Sequence, residues 1–377
     1  MSFQPKITLK INIWRCATLL LFSFSANTNA VAEQSVAIPL TFEYESNPTL
    51  SSTNEQPVSR FVLVPDYSVL INQGTEQWVA KASVRFERSS DQAISQDRND
   101  PSLNLGWTHN YETGQFGLTT LLNEQSTRVS EVTDSGLLSG DNTRKTRALS
   151  ANWLNSLSER ASLNLNSSVT KVEFDGLVTA GLVNFRNESF DTSFNYTLSE
   201  QTEVSTQLFY SRYKPEGANV LNSETQGFNL GITWNVNEKF NMDVSAGTNE
   251  VKSTTRTKSW QAALNMQYTT QRTNSQFSLS RSLSPGSTGS INESNQMIAG
   301  WSYNLSEKEE LIFSGRWGQN LSPSTIETKS LEAKYTRQIS LLWNFSLSGI
   351  HRNRDDAATS VSSNSIMAGL IYNLSDF

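Results

Sequence analysis

Cysteine is all but missing. The 377-residue chain has one, Cys16. It falls inside an N-terminal leader, so the mature chain has no disulfide and no thiolate metal site. Ile13-Trp14-Arg15 do not form a lipoprotein cleavage box, and the apolar run follows Cys16 instead of preceding it. Histidine is almost as scarce. His109 and His351 stand far apart, and neither has a metal-ligand or nucleophile motif beside it. No catalytic constellation and no cofactor are therefore expected. Long apolar runs are also lacking. The longest, Ala17 to Ala26 (ATLLLFSFSA), has ten residues, whereas a membrane-spanning helix needs about 20. Lys6, Lys10 and Arg15 come before it and the small-x-small site Ala30-Val31-Ala32 after it. Residues 1–32 thus read as a cleaved secretory signal peptide, and 33–377 as an exported domain. An excess of basic charge is absent too. Without the three basic residues of the leader, 27 Lys and Arg face 36 Asp and Glu, a balance of −9. Nucleic-acid binding rests on basic patches, so nucleic acid is excluded as a partner.

Only 36% of the residues are hydrophobic, low for a chain of this length. The apolar residues that remain are placed at every second position. Phe228, Leu230, Ile232, Trp234 and Val236 alternate with Asn229, Gly231, Thr233 and Asn235. The same pattern holds for Trp78 to Phe86, Trp260 to Tyr268, Met297 to Leu305 and Ile366 to Leu374. A period of two means strands with one apolar and one polar face.

A longer period overlies the first. Tyr111, Trp153, Tyr196, Trp234, Tyr268, Tyr303, Tyr335 and Tyr372 are spaced 32 to 43 residues apart. Several carry a polar tag behind them, as in Tyr196-Thr197-Leu198-Ser199-Glu200 and Tyr303-Asn304-Leu305-Ser306-Glu307. Each unit fits two strands, with one short and one long connection. Eighteen strands are predicted, near 34–46, 58–72, 76–89, 101–112, 115–127, 146–156, 160–173, 184–198, 202–214, 224–236, 240–250, 257–269, 273–283, 293–305, 309–319, 328–337, 339–351 and 363–374. An even strand count with alternating short and long connections is the pattern of an outer-membrane β-barrel. The expected fold is an all-β, antiparallel, up-and-down transmembrane barrel. The tags are then periplasmic turns, each behind an aromatic residue at the headgroup layer. Arg212 and Arg281 share the apolar faces but fall near the outer strand ends, where a lipid-facing charge costs little.

The inward set defines the candidate site. Lys81, Arg85, Asp191, Asn229, Thr233, Asp243, Asn265, Arg316, Glu332, Lys334 and Asn344 are the candidate lumen-facing residues. Amides and hydroxyls outnumber charges along these faces, so a largely neutral lumen is expected. Barrels of 16–18 strands are wide enough for an aqueous channel. The longest connection, Thr127 to Thr146, carries Arg128, Glu131, Asp134, Asp141, Arg144 and Lys145. Two readings are open, an external solvated loop, which is favoured, and a partial constriction folded inward.

The chain ends on Gly369, Tyr372, Leu374 and Phe377, which resemble the C-terminal signal that barrels show their assembly machinery. Phe377 departs from strict alternation, and Met367 stands where a polar residue is usual. Further stretches resemble a family of outer-membrane barrels found with exosortase (PEP-CTERM) and exopolysaccharide loci. They are Tyr44-Glu45-Ser46-Asn47-Pro48, Ser95-Gln96-Asp97-Arg98-Asn99-Asp100, Arg147-Ala148-Leu149-Ser150 with Trp153, and the Leu-Ser-Glu turns. The likeness runs over most of the mature chain through loose motifs. It implies export or surface assembly of a polysaccharide, with periplasmic export partners, and it carries over no functional residues. The sequence therefore leads to an outer-membrane pore in contact with lipid and with the barrel-assembly machinery, expected to pass an exopolysaccharide. A general diffusion porin for small solutes and a structural or adhesive barrel with a blocked lumen are the alternatives.

Overall fold

A computed structural model describes residues 31–52, 55–134, 141–175, 181–217, 221–321, 325–356 and 358–375. The leader lies outside them, except for Val31 and Ala32, which open the first strand opposite Asn72 and Ile71. Phe377 also lies outside the described residues.

The elements run β1 (Val31–Glu45), β2 (Val58–Leu63), β3 (Asp66–Gln73), β4 (Glu76–Ser89), β5 (Arg98–Tyr111), β6 (Gly114–Ser126), α1 (Thr127–Asp134), β7 (Thr143–Ser156) and β8 (Ala161–Asp175). There follow β9 (Asn184–Ser199), β10 (Thr202–Glu216), β11 (Ser223–Asn237), β12 (Phe240–Lys252), β13 (Arg256–Thr269) and β14 (Thr273–Pro285). The last are β15 (Ile291–Ser306), β16 (Glu309–Asn320), β17 (Ile326–Gln338), β18 (Trp343–Asp355) and β19 (Ser360–Ser375). Each strand pairs antiparallel with the next, except that β2 and β3 lie end to end between β1 and β4. β1 closes the ring on β19, from Ser35 opposite Ser375 to Glu45 opposite Ser365.

Nineteen segments make eighteen strands, because β2 and β3 are one strand. The register with β1 and with β4 runs unbroken through both. The interruption falls at Val64-Pro65, where proline has no N–H to give to the ladder. Around it Val64 N still donates to Pro39 O at 3.0 Å and Val84 N to Pro65 O at 3.3 Å. The closed 18-stranded antiparallel barrel is the fold that the alternation predicts.

The strand expected over 339–351 is displaced by four residues at both ends, the largest shift among the boundaries. A strand is expected from 339, but Ile339 N donates to Trp343 O at 2.8 Å and β18 starts at Trp343. Ile339 and Leu341 imitate a period of two while forming a turn. The other short connections lie where the tags place them, with Gly74 at φ 59° in the β3–β4 turn.

The two faces of the wall are chemically distinct. Phe42, Leu149, Phe190, Leu208, Leu230, Leu331 and Ile366 lie exposed on the outside. In water so much exposed aliphatic surface would be a liability; in a bilayer it faces hydrocarbon, as lipid-facing positions of a barrel do. Aromatic rings edge this band at the short-turn end. Trp78 meets Trp107 at 5.8 Å, Trp301 meets Tyr303 at 5.8 Å and Trp343 meets Tyr372 at 5.2 Å between centroids. At the long-connection end the Arg281 guanidinium lies over the Trp260 ring, 4.5 Å from its centroid. Arg212 and Arg281 face outward there and pair with Glu224 and Glu293. The inner face is mainly polar, with aliphatic residues such as Ile298, Ile312 and Ile350 set beside Arg316, Lys334 and Glu332 and a small apolar cluster of Val172, Phe185 and Tyr213 near the long connections.

Candidate functional site: a charged outer mouth

The site forms where inward-facing positions reach the long-connection end. On β1 those positions are Glu43 and Glu45, and Arg60 of β2 stands directly opposite Glu43. Arg60 Nη2 lies 3.0 Å from Glu43 and in contact with Glu45. On β4, Arg85 Nη2 lies 2.7 Å from Glu87 Oε2. On β5, Arg98 forks onto Asp100, with both nitrogen–oxygen distances at 3.0 Å. Arg352 of β18 reaches Glu45 at 3.0 Å. Paired charges at i and i+2 put both side chains on one face of a strand.

The connection after β6 completes the group. Ser126 caps α1, its hydroxyl accepting from Arg128 N at 3.2 Å, as an N-cap serine does. The same hydroxyl bonds Asp141. The base of the loop is clasped by Thr127 N donating to Asn142 O at 2.9 Å and Asn142 N to Thr127 Oγ1 at 3.1 Å. So held, α1 turns into the barrel. Arg128 lies 3.5 Å from Glu45 and 3.2 Å from Glu87. Glu131, with no exposed surface, takes Arg144 at 3.5 Å on one side and the Ser287 hydroxyl on the other.

Ser287 comes from across the ring, in the β14–β15 connection. That connection is itself drawn inward, by Tyr213 OH donating to Gly286 O at 2.6 Å and Val183 N to Ser287 O at 2.7 Å. Two connections from opposite walls therefore meet over the mouth. This corrects the expectation of an external loop over 127–146. A segment dense in charge reads as solvated, but here Arg128 and Glu131 of α1 find counter-charges projecting from the wall.

The electrostatics are those of a dry ion-pair network. Arg60, Glu45 and Glu87 are 1%, 2% and 1% exposed. Burial, then the neighbouring Arg60 guanidinium, lowers Arg128 below the usual arginine range. The desolvation cost of such pairs largely cancels their attraction, whereas removing one partner strands a buried charge at a cost of about 3–5 kcal/mol. The network therefore does more to fix the position of α1 than to add stability. Arg98 extends it to the loop's far end, with Asp141 at 3.3 Å and the Asn142 carbonyl at 3.0 Å.

The eleven lumen candidates all lie on the face opposite the exposed aliphatic band, and only Arg85 belongs to the mouth. Lys81 and Arg316 are exposed there, with Lys334 and Asn344 half-buried. Asp191 accepts from Asn166 at 2.9 Å, Asp243 from Thr233 at 2.7 Å, Asn265 from Ser278 at 2.8 Å and Glu332 from Ser314 at 3.5 Å. Asn229 donates to Gln207 at 3.2 Å and accepts from Gln261 at 2.6 Å, and Asn249 donates to Gln261 at 3.4 Å. A ladder of amides thus crosses β10 to β13. The neutral lumen expected from sequence describes this wall and not the mouth. Gly369 faces inward beside Ser346 and Leu40. Tyr372 and Leu374 face outward opposite Ile38 and Val36. His109 bonds Glu76 at 2.6 Å and His351 bonds Asn364 at 2.8 Å, both on the outer wall.

Glu45, Arg60, Glu87, Arg98, Asp100 and Arg352 are the mouth residues missing from the lumen candidates, whereas Arg128, Glu131, Asp141 and Arg144 stand among the charges already noted in the 127–146 connection. The pairs Glu43/Glu45, Arg85/Glu87 and Arg98/Asp100 did carry a signal, each extending an inward face by one more charge. Their meeting with Arg352 depends on barrel closure, and with Arg128 on the inward turn of α1.

The fold is that of the outer-membrane porins. The OccAB4 structure from Acinetobacter baumannii superposes with a TM-score of 0.53 at 10% identity, over 93% of this chain and 100% of that one. OpdQ of Pseudomonas aeruginosa gives 0.51 at 12%, over 92% and 98%. OpdK of Pseudomonas aeruginosa, solved with vanillate, gives 0.51 at 10%, over 92% and 99%. At these identities the likeness is one of fold. No family model matches the chain. No curated protein matches it in sequence.

Proposed function

We propose that the chain is an outer-membrane pore for small hydrophilic solutes, its mouth narrowed by α1. The inward fold of α1 onto Glu45 and Glu87 is the observation that carries this reading. A polar inner wall holds water across the bilayer, and the paired charges at the mouth set which solutes enter. The porin fold and the apolar outer band support a place in the outer membrane, reached through a cleaved leader and the barrel-assembly machinery. No chemistry on a substrate is part of this reading. Vanillate, the small carboxylate held by OpdK, is a suitable first anion to try.

Export of an exopolysaccharide, with periplasmic partners, is the second reading. The amide ladder of Gln207, Asn229, Gln261 and Asn249 favours it, because amides match sugar hydroxyls as donor and acceptor. It requires α1 to swing aside for a polymer to pass. Swelling of proteoliposomes in sugars of graded size tests both. Entry of mono- and disaccharides with exclusion of longer chains supports the small-solute pore. Entry of long oligosaccharides supports export. No swelling by folded protein removes both and leaves a structural barrel.

A further inference from the structure

On the outer wall, Arg147, Lys171, Arg186 and Lys214 are cross-strand partners in a single row. Arg147 lies opposite Lys171, Lys171 opposite Arg186, and Arg186 opposite Lys214. Like charges directly opposite one another destabilise a sheet, so a row of four needs a counterpart. The wall supplies part of it. Glu173 lies 3.4 Å from Arg147 and 2.8 Å from Lys171, and Glu188 lies 2.9 Å from both Arg186 and Lys214. Glu216 adds a weaker contact, 3.9 Å from Lys171. The flanking cations Lys145 and Arg212 are taken up by Asp175 and Glu224. The four cations of the row stand against these three carboxylates, while Glu124 lies opposite the flanking Lys145. The side chains stand open, at 60% exposure for Arg147, 39% for Lys171, 51% for Arg186 and 33% for Lys214.

We propose that this row binds the phosphates of a lipid headgroup in the outer leaflet. On the membrane side of the row the same strands turn apolar, at Leu149, Val169, Phe190 and Leu208. The cations therefore begin where hydrocarbon contact ends, with the long connections outside as in barrels of this fold. Neighbouring strands are about 4.8 Å apart, so four heads span roughly 14 Å. That span suits a headgroup with two phosphates and acyl chains that descend along Leu149 and Phe190. Arginine offers each phosphate a two-pronged donor and lysine a mobile charge. A free phosphate would have no such apolar anchor. The inference needs the barrel in its membrane but not an open pore.

The test uses the whole protein in detergent, titrated with bisphosphorylated lipid A, with the same lipid dephosphorylated, and with inorganic phosphate. Bound lipid is counted by native mass spectrometry. The native chain should hold the bisphosphorylated lipid about tenfold more tightly than the dephosphorylated one, as lost charge-assisted bonds require. Lys171→Gln with Arg186→Gln should abolish that preference while keeping heat-modifiable mobility. Arg256→Gln with Lys258→Gln, an equal charge change on the outer face of β13, should leave it intact. Equal retention of the two lipids by the native chain overturns the proposal, as does a preference that survives loss of Lys171 and Arg186. Inorganic phosphate competing as strongly as the lipid overturns the headgroup assignment.

Discussion

Arg128 Nη2 donates to Glu87 Oε1 over 3.2 Å, tying the helix that follows β6 to β4, two strands back round the wall. Glu87 also receives Arg85 at 2.7 Å and the Ser95 hydroxyl at 3.2 Å, and lies 3.8 Å from Arg60. One carboxylate thus answers three guanidinium groups. Glu87→Gln removes its charge and leaves those groups partly unpaired, a loss of about 3–5 kcal/mol for a buried pair. The loss falls on the docking of α1, since the strand ladders are untouched. Trypsin should cut after Arg128 in the folded variant under conditions where the native chain resists. Equal resistance of the two would show that α1 is held by something else.

Gly247 of β12 lies where a side chain has no room. A Cβ there would fall within contact distance of the Phe228 carbonyl oxygen and of Asn229 Oδ1. The first is backbone of the neighbouring strand and cannot turn aside. Gly247→Ala must push β11 and β12 apart and disturb the amide ladder at Asn229. The yield of heat-modifiable barrel should fall well below that of the native chain. A normal yield would show that the wall gives way there more readily than its ladder suggests.

Asp356 ties the β18–β19 connection. Its carboxylate accepts from Ala358 N at 3.0 Å, Thr359 N at 2.8 Å and Arg354 Nη1 at 2.8 Å. The bonds from the backbone of Ala358 and Thr359, then those from the Thr359 and Arg354 side chains, lower its pKa from 3.8 to about 2. A group depressed in the folded state contributes stability above its unfolded pKa and loses it as pH falls through the folded value. The order of this connection should therefore hold at neutral pH and fade between 3.8 and about 2. An NMR titration of the Asp356 carboxyl carbon checks it, with a midpoint near the lower figure expected. A midpoint at the ordinary aspartate value would contradict the turn.

Tyr372 faces outward at the short-turn end, 5.2 Å from Trp343 between ring centroids, on the strand that closes the ring. Tyr372→Ala removes an interfacial anchor from β19. Assembled barrel in the outer membrane should decrease, read as the heat-modifiable band in membrane fractions. An unchanged level would remove Tyr372 from the assembly signal.

The barrel was legible because alternation survives burial. Lipid outside and water inside impose opposite demands on successive residues, and strands such as Phe228 to Val236 record both. What defeated the pattern was local. Ile339 and Leu341 alternate within a turn, whereas Pro65 interrupts a ladder whose register continues, in keeping with the single strand expected over 58–72. The mouth was illegible for a different reason. Glu45, Arg60, Glu87, Arg128 and Arg352 are separated along the chain and adjacent only once β1 has met β19 and α1 has turned inward. The outer-wall row was hidden likewise, since Arg147 and Lys214 enter one line through three strand pairings.

Single-channel conductance of the refolded protein in a planar bilayer, native chain beside Arg128→Ala, tests the account most directly. Stable open steps from the native chain, and larger steps once α1 has lost its hold on Glu45 and Glu87, are the predicted result. Silence from both proteins, shown to be folded by heat-modifiability, would contradict a pore. Steps of one size in both would contradict a mouth narrowed by α1.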